Sequence, residues 1–164
     1  MMPSALPDAP SPSPPAAHQA LPPHAAPGDS PTRTLALRLR PGDDLKDALL
    51  RFAKARGLQA GFVMAAVGSL RVANLRFADA PAGTALEGPF EIVSLSGTLT
   101  AAGAHLHLAI ADRTGKTLGG HLMPGCLVYT TAEVVIGEAA ELAFPRVHDP
   151  LTGYPELAPA RRVP

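Results

Sequence analysis

The stretch from His105 to Asp112, which reads HLHLAIAD, decides the fold. Its side chains alternate in a period of two, which predicts a β-strand with one face in the core. The two histidines of this stretch, His105 and His107, therefore leave the same face of the strand, and the leucines after them point to the other. A third histidine, His121, follows Gly119-Gly120 on a stretch that can turn back alongside the first.

Three histidines in this arrangement predict a metal site. Neutral imidazole is the commonest protein ligand of zinc and similar ions, and three ligands with one open coordination position are typical of catalytic or exchangeable sites. We therefore expect one divalent ion, zinc by ligand type, on His105, His107 and His121. The alternative is that the first two are polar residues on the wetter face of an edge strand. His148, near the carboxyl end, is predicted to be a loop residue rather than a ligand.

One helix is predicted before these strands. Apolar residues recur at the spacing of a single helix face from Leu45 to Phe52. Asp43 stands where an N-cap is expected, and Gly57 is a natural C-cap.

The rest of the chain alternates, or runs apolar, over strand-like lengths separated by Gly and Pro turns. The predicted strands cover residues 34–40, 61–69, 70–77, 90–98, 105–112, 117–122 and 127–138, with a loop over 78–88. This pattern predicts an α+β domain in which one main helix packs on a mostly antiparallel, multi-stranded sheet.

The first 31 residues differ in composition from the rest. They hold ten of the nineteen prolines, seven alanines and no lysine or arginine. Too few large apolar residues are present there to offset the entropy of ordering, so residues 1–31 are predicted to be a disordered Pro/Ala-rich tail, with His18 and His24 solvated. The domain is expected over 32–157, with a short tail over 158–164.

Charge and composition exclude several classes of function. From residue 32 onward, 14 basic and 12 acidic residues leave a charge of +2, and the arginines are spread, so DNA binding is predicted to be weak or indirect. No apolar stretch approaches the roughly 20 residues that cross a bilayer. The single cysteine, Cys126, excludes an internal disulfide and fits a reducing compartment. We expect a soluble, cytoplasmic protein.

A few other residues could take part in a site. Cys126 could be a fourth ligand, although a small buried residue is the commoner role. Tyr129 and Glu133 share a strand face, where they could orient a histidine or meet solvent or a neighbouring subunit. Glu91 could be a catalytic acid, although an ion pair with Arg113 is the commoner role. No catalytic residue is assigned, because the chain has no phosphate-binding loop and no nucleophile elbow.

Several segments resemble, in order, the PPC domain, the plant and prokaryote conserved domain. They are GPFEIVSLSGT at 88–98, HLHLAIAD at 105–112, GGHLMPG at 119–125, VYTTAEV at 128–134 and DPLTGYPEL at 149–157. The similarity covers about residues 33–157.

The resemblance implies a compact α/β domain that assembles as a homotrimer. In some prokaryotic members three histidines bind a metal, and the matching residues are His105, His107 and His121. A DNA-binding role is implied as well, since plant members join the domain to an AT-hook, an Arg-Gly-Arg-Pro reader of the minor groove. This chain contains no Arg-Gly-Arg, so the part that reads DNA in the plant proteins is missing.

Two functions follow from these observations. The first is a trimeric metal-binding module with a DNA-associated or regulatory role, exercised through protein partners rather than an AT-hook. The second is a zinc-dependent enzyme that acts on a small molecule, with water at the open coordination position. The enzyme would need a general base, such as Glu91 or Glu133, near the metal. An open cleft at the metal would favour the enzyme, and a sealed site would favour the module.

Overall fold

A computed structural model describes residues 29–163 of the chain. The predicted tail, with His18 and His24, lies outside the described residues except for its last three positions. The elements are β1 (Thr32–Leu39), α1 (Leu45–Arg56), β2 (Gly61–Arg76), β3 (Thr84–Thr100), β4 (Gly103–Ala111), β5 (Thr117–Leu122), β6 (Leu127–Ala139), β7 (Leu142–Ala143), β8 (Arg146–His148), β9 (Pro155–Leu157) and β10 (Ala160–Arg161). Among these residues no helix is both long and apolar enough to cross a membrane.

The helix α1 forms where it was predicted, but its N-cap is Asp44 rather than Asp43. Asp44 Oδ1 accepts a hydrogen bond from the Asp47 N–H at 3.0 Å. Asp43 instead accepts from the Arg40 N–H at 2.8 Å and closes the turn before the helix. Gly57 is the C-cap, in the left-handed conformation that this position favours. The buried side chains of the helix are Leu45, Leu49 and Ala53.

Six strands form one large antiparallel sheet in the order β1-β6-β2-β3-β4-β5. The far end of β2 also pairs with β5, with Leu75 opposite Leu122 and Arg76 opposite His121. This extra pairing closes β2, β3, β4 and β5 on themselves, and the apolar core lies between these strands and α1. The chain is therefore mostly β with a single helix, in rough agreement with the predicted class.

Two predicted boundaries were wrong. The two strands predicted over 61–69 and 70–77 are one long strand, β2, which ends at Arg76. Register shifts along β2 change which face each side chain takes, and this change of pattern suggested a break between two strands. The predicted loop over 78–88 ends early, because β3 begins at Thr84, which pairs with Leu75. The alternation predicted over 70–77 is present, whereas the apolar run over 61–69, predicted to be buried, leaves Met64 and Val67 more than half exposed.

The carboxyl-terminal segment folds over the sheet as short ribbons. β8 pairs with β9, and β7 pairs with β10. Arg146, the first residue of β8, reaches the sheet through its Nη2 atom, which lies 3.3 Å from Thr98 Oγ1 on β3. His148, predicted to be a loop residue, is the last residue of β8.

Candidate metal centre

The three histidines predicted as ligands meet on one face of the sheet. His105 and His107 lie on β4, and His107 stands directly opposite His121 on the neighbouring β5. Nitrogen atoms from the three rings lie within 4.8 Å of one another. The predicted same-face spacing and the predicted return of the third histidine are therefore both present in the structure.

The strands around the cluster hold the histidines away from the core. The alternating residues of β4, Leu106, Leu108 and Ile110, are all buried, so the imidazoles project from the opposite face. On β3, Gly97 pairs with Leu106 and has a φ of +126°. A Cβ at Gly97 would lie 2.0 Å from the His105 carbonyl oxygen. Only glycine therefore lets β3 approach β4 at this point.

The spacing of one pair of ring nitrogens matches that of a divalent metal site. In a tetrahedral zinc site the zinc–nitrogen distance places two ligand nitrogens about 3.3 Å apart. The Nε2 atoms of His105 and His107 are separated by 3.3 Å. Within residues 29–163 the cluster contains no carboxylate and no thiolate, so the donor set is three imidazoles. This set suits zinc or a similar divalent metal.

Two of the imidazoles have a lowered pKa, which favours the neutral form that binds metals. Burial, followed by the charge of Lys46, lowers the pKa of His121 to about 4. Burial, followed by the charge of Arg146, also lowers the pKa of His105. At pH 7 both rings therefore carry a free lone pair for a ligand bond.

Cys126 takes the structural role rather than that of a fourth ligand. Its side chain is fully buried, and Sγ accepts a hydrogen bond from the Asn74 N–H at 3.1 Å. The thiol also donates to the Asn74 carbonyl at 3.4 Å. Burial raises the pKa of this thiol to about 11, so the thiolate needed for ligation is disfavoured.

The other predicted candidates lie elsewhere. Tyr129 and Glu133 share the exposed face of β6, as expected, and neither lines the cavity at the histidines. Glu91 is exposed on β3. Within residues 29–163, Glu91 forms no ion pair with Arg113. The predicted ion pair was therefore wrong.

The histidine cluster opens onto a cavity of about 880 Å³. Besides His105 and His121, its wall includes Arg76, Arg146, Tyr154 and Glu156. Sequence reasoning missed these last four residues as members of the site. The motif at 149–157 was a signal for Tyr154 and Glu156, whereas only the pairing of β2 with β5 puts Arg76 beside the histidines.

Comparisons with known proteins place this architecture in a family. The sequence matches the Plants and Prokaryotes Conserved (PCC) domain over residues 27–140. A hypothetical protein from Salmonella cholerae-suis has a similar solved structure, with a TM-score of 0.81 and 45% identity over 83% of this chain and 99% of that one. A metal-containing protein from Archaeoglobus fulgidus has a TM-score of 0.67 and 28% identity over 76% of this chain and 92% of that one.

Two curated relatives are much longer than this chain. Both are called bifunctional protein GlmU, from two strains of Synechococcus, and share 56% identity over 125 residues and 55% over 121. The matches cover 76% and 74% of this chain, which spans about a fifth of each relative. The solved structure of a protein from Bacteroides thetaiotaomicron that was proposed to bind DNA is also similar, with a TM-score of 0.66 over 79% of this chain and 97% of that one. Because the two sequences are only 19% identical, this similarity shows the fold alone.

Proposed function

The chain belongs to the Plants and Prokaryotes Conserved (PCC) domain family, and from that premise we propose that it is a homotrimeric metal-binding module. Each subunit holds one divalent ion, zinc, on His105, His107 and His121. The observation that carries this proposal is the convergence of the three imidazoles within 4.8 Å. The relative from Archaeoglobus fulgidus, which is described as metal-containing, supports it. Elemental analysis of the freshly purified chain is the test, with about one divalent ion per chain as the expected result.

The role of the module is to bind protein partners, with any regulatory or DNA-associated effect exercised through them. A related domain forms a small part of the long GlmU proteins of Synechococcus, which supports a unit that works attached to other machinery. The modest charge of +2 over residues 32–164 supports contact with DNA through partners rather than directly.

A zinc-dependent enzyme is the second candidate, and the cavity favours it. Two of the three histidines, His105 and His121, line a space of about 880 Å³, and no fourth protein ligand joins the cluster among the described residues. A small molecule could therefore reach the open coordination position. Asp79 and Glu156 line the cavity, whereas the earlier candidates for a general base, Glu91 and Glu133, do not.

The trimer is supported by an apolar surface on three adjacent strands. Met64 and Val67 on β2, Val93 on β3 and Tyr129 on β6 are each more than half exposed. A group of exposed apolar side chains on one sheet is typical of a protein contact surface. Closed cyclic association of three copies would cover it without leaving an open edge.

Val67→Lys should convert the trimer to monomers. Val67 is 57% exposed and stands opposite Glu133 on β6, which can accept the new charge in the isolated subunit. Inside a subunit contact the ammonium group would have to be desolvated, which costs several kcal/mol by order of magnitude. The molar mass measured by light scattering should fall from about three times 16.9 kDa to about 16.9 kDa.

The matched control is Val147→Lys, because Val147 is 56% exposed on β8, which is not one of the strands that form this surface. That variant should keep the trimer mass. A wild-type chain with the mass of a monomer would refute the trimer. A Val67→Lys variant that stays trimeric would show that the subunits contact each other through a different surface.

Direct DNA binding should be weak. Among the spread arginines, Arg33 is held by Glu138 and Arg38 by Thr131. The logarithm of the DNA affinity falls by about 0.9 per phosphate contact for each tenfold rise in salt. A protein that makes few such contacts therefore keeps little affinity at physiological salt. Fluorescence anisotropy on random duplexes at about 150 mM salt should show no saturable complex below about 10⁻⁶ M. A dissociation constant near the roughly 10⁻⁸ M of specific readers would contradict this expectation.

A further inference from the structure

Two arginines flank the histidine cluster. The strands run in the order β2-β5-β4-β3 at this point, with the histidines on the central pair. On one side, Arg76 of β2 stands directly opposite His121. On the other, Arg146 lies 3.3 Å from Thr98, which is the β3 partner of His105. Both arginines line the same cavity as His105 and His121.

Neither arginine is neutralised by an ion pair. Within residues 29–163 the ion pairs involve other arginines, and neither Arg76 nor Arg146 has a carboxylate within bonding distance. The hydrogen bonds of Arg146 go to uncharged acceptors, the Pro155 carbonyl and the Thr98 hydroxyl, each at 3.3 Å. A guanidinium group has five N–H donors, so donors remain free for a ligand.

Cationic side chains lie close to the histidines. Arg76 stands opposite His121, and Arg146 reaches Thr98, the β3 partner of His105. A third cation, Lys46 of α1, donates a hydrogen bond at 2.9 Å to the carbonyl of Leu122, the residue after His121. These side chains offer positive charge to an anion at the cluster.

We propose that this cavity binds a small organic anion, and that one carboxylate or phosphate group of the anion lies between Arg76 and Arg146 in front of the histidines. The planar guanidinium fork matches either group, because each offers two oxygens to paired N–H donors. A volume of about 880 Å³ is that of a small-molecule site rather than a site for a bare inorganic ion.

The inference rests on the proposed metal site for part of its strength. Asp79 and Glu156 also line the cavity and balance the two arginines in formal charge. A divalent ion on the histidines would make the cavity cationic overall, because it would add two positive charges beside His105 and His121. The anion should therefore bind more tightly to the metal-loaded chain than to the metal-free chain.

Calorimetric titration of the full chain tests the inference. The probes are malonate for the carboxylate, glycerol 3-phosphate for the phosphate, and malonamide as the uncharged counterpart of malonate. We expect at least one of the two anions to bind the zinc-loaded protein and malonamide not to bind. Arg76→Gln and Arg146→Gln should each weaken binding by about tenfold or more, as for loss of a hydrogen bond between charged groups.

Arg161→Gln is the matched control, since Arg161 pairs with Glu141 outside this cavity and its loss should leave anion binding unchanged. Metal content and circular dichroism are measured on every variant, so that loss of zinc or of fold is separated from loss of the anion site. Zinc-loaded protein that binds neither anion, or binds them equally well without Arg76 and Arg146, overturns this inference and leaves the metal site standing. A metal-free chain that binds an anion through both arginines would support the anion site alone.

Discussion

His107→Ala should remove nearly all bound metal from the purified protein. His107 contributes one of the three imidazoles: it stands opposite His121, and its Nε2 atom lies 3.3 Å from that of His105. Two imidazoles remain in the variant, and structural or catalytic zinc sites use at least three protein ligands. We expect less than about a tenth of the wild-type zinc content after gel filtration, measured by elemental analysis.

The fold should survive this change, because His107 is exposed and projects from the face opposite the core. His148→Ala is the matched control, since His148 is an exposed histidine outside the cluster. That variant should keep the wild-type zinc content. A His107→Ala protein with normal zinc and normal circular dichroism would show that the metal, if bound, is held elsewhere.

Glu138→Ala should cause a large loss of stability. Glu138 on β6 is fully buried, and its Oε2 atom accepts a hydrogen bond from Arg33 Nε of β1 at 2.6 Å. Its Oε1 atom accepts from the Gln59 N–H at 3.1 Å. Alanine would leave that amide without this partner and remove the ion pair between the cross-strand neighbours Arg33 of β1 and Glu138 of β6.

The expected decrease in the free energy of unfolding is about 2 kcal/mol, because a buried donor left without its acceptor costs about 1–3 kcal/mol. Loss of the ion pair adds little, because the Arg33 side chain is 56% exposed and can be rehydrated. Urea unfolding at one fixed protein concentration measures it, because assembly makes stability depend on concentration.

Glu141→Ala provides the comparison. Glu141 pairs with Arg161 at 2.6 Å, with both side chains about half exposed. Exposed pairs contribute about 1 kcal/mol or less, so this variant should unfold close to the wild type. If the free energy of unfolding decreased equally in Glu138→Ala and Glu141→Ala, the prediction that Glu138 stabilises the fold more than an exposed ion pair does would be wrong.

Local periodicity in the sequence determined the helix and the positions of the histidines. The apolar stripe from Leu45 to Phe52 and the glycine at 57 predicted α1, because helix spacing and capping are properties of neighbouring residues. Alternation from His105 onward put two histidines on one face, because side chains along a strand alternate by geometry alone.

The tertiary structure alone decided the surroundings of the cluster. Both Asp43 and Asp44 are residue types that favour an N-cap. Asp44 is the N-cap in the structure, and its carboxylate also accepts a hydrogen bond from the N–H of Gly125, which is distant in sequence. Arg76 reaches His121 because β2 is continuous through its register shifts and closes onto β5. Such pairings depend on the register between segments far apart in sequence, and each segment's own pattern of side chains is compatible with many registers.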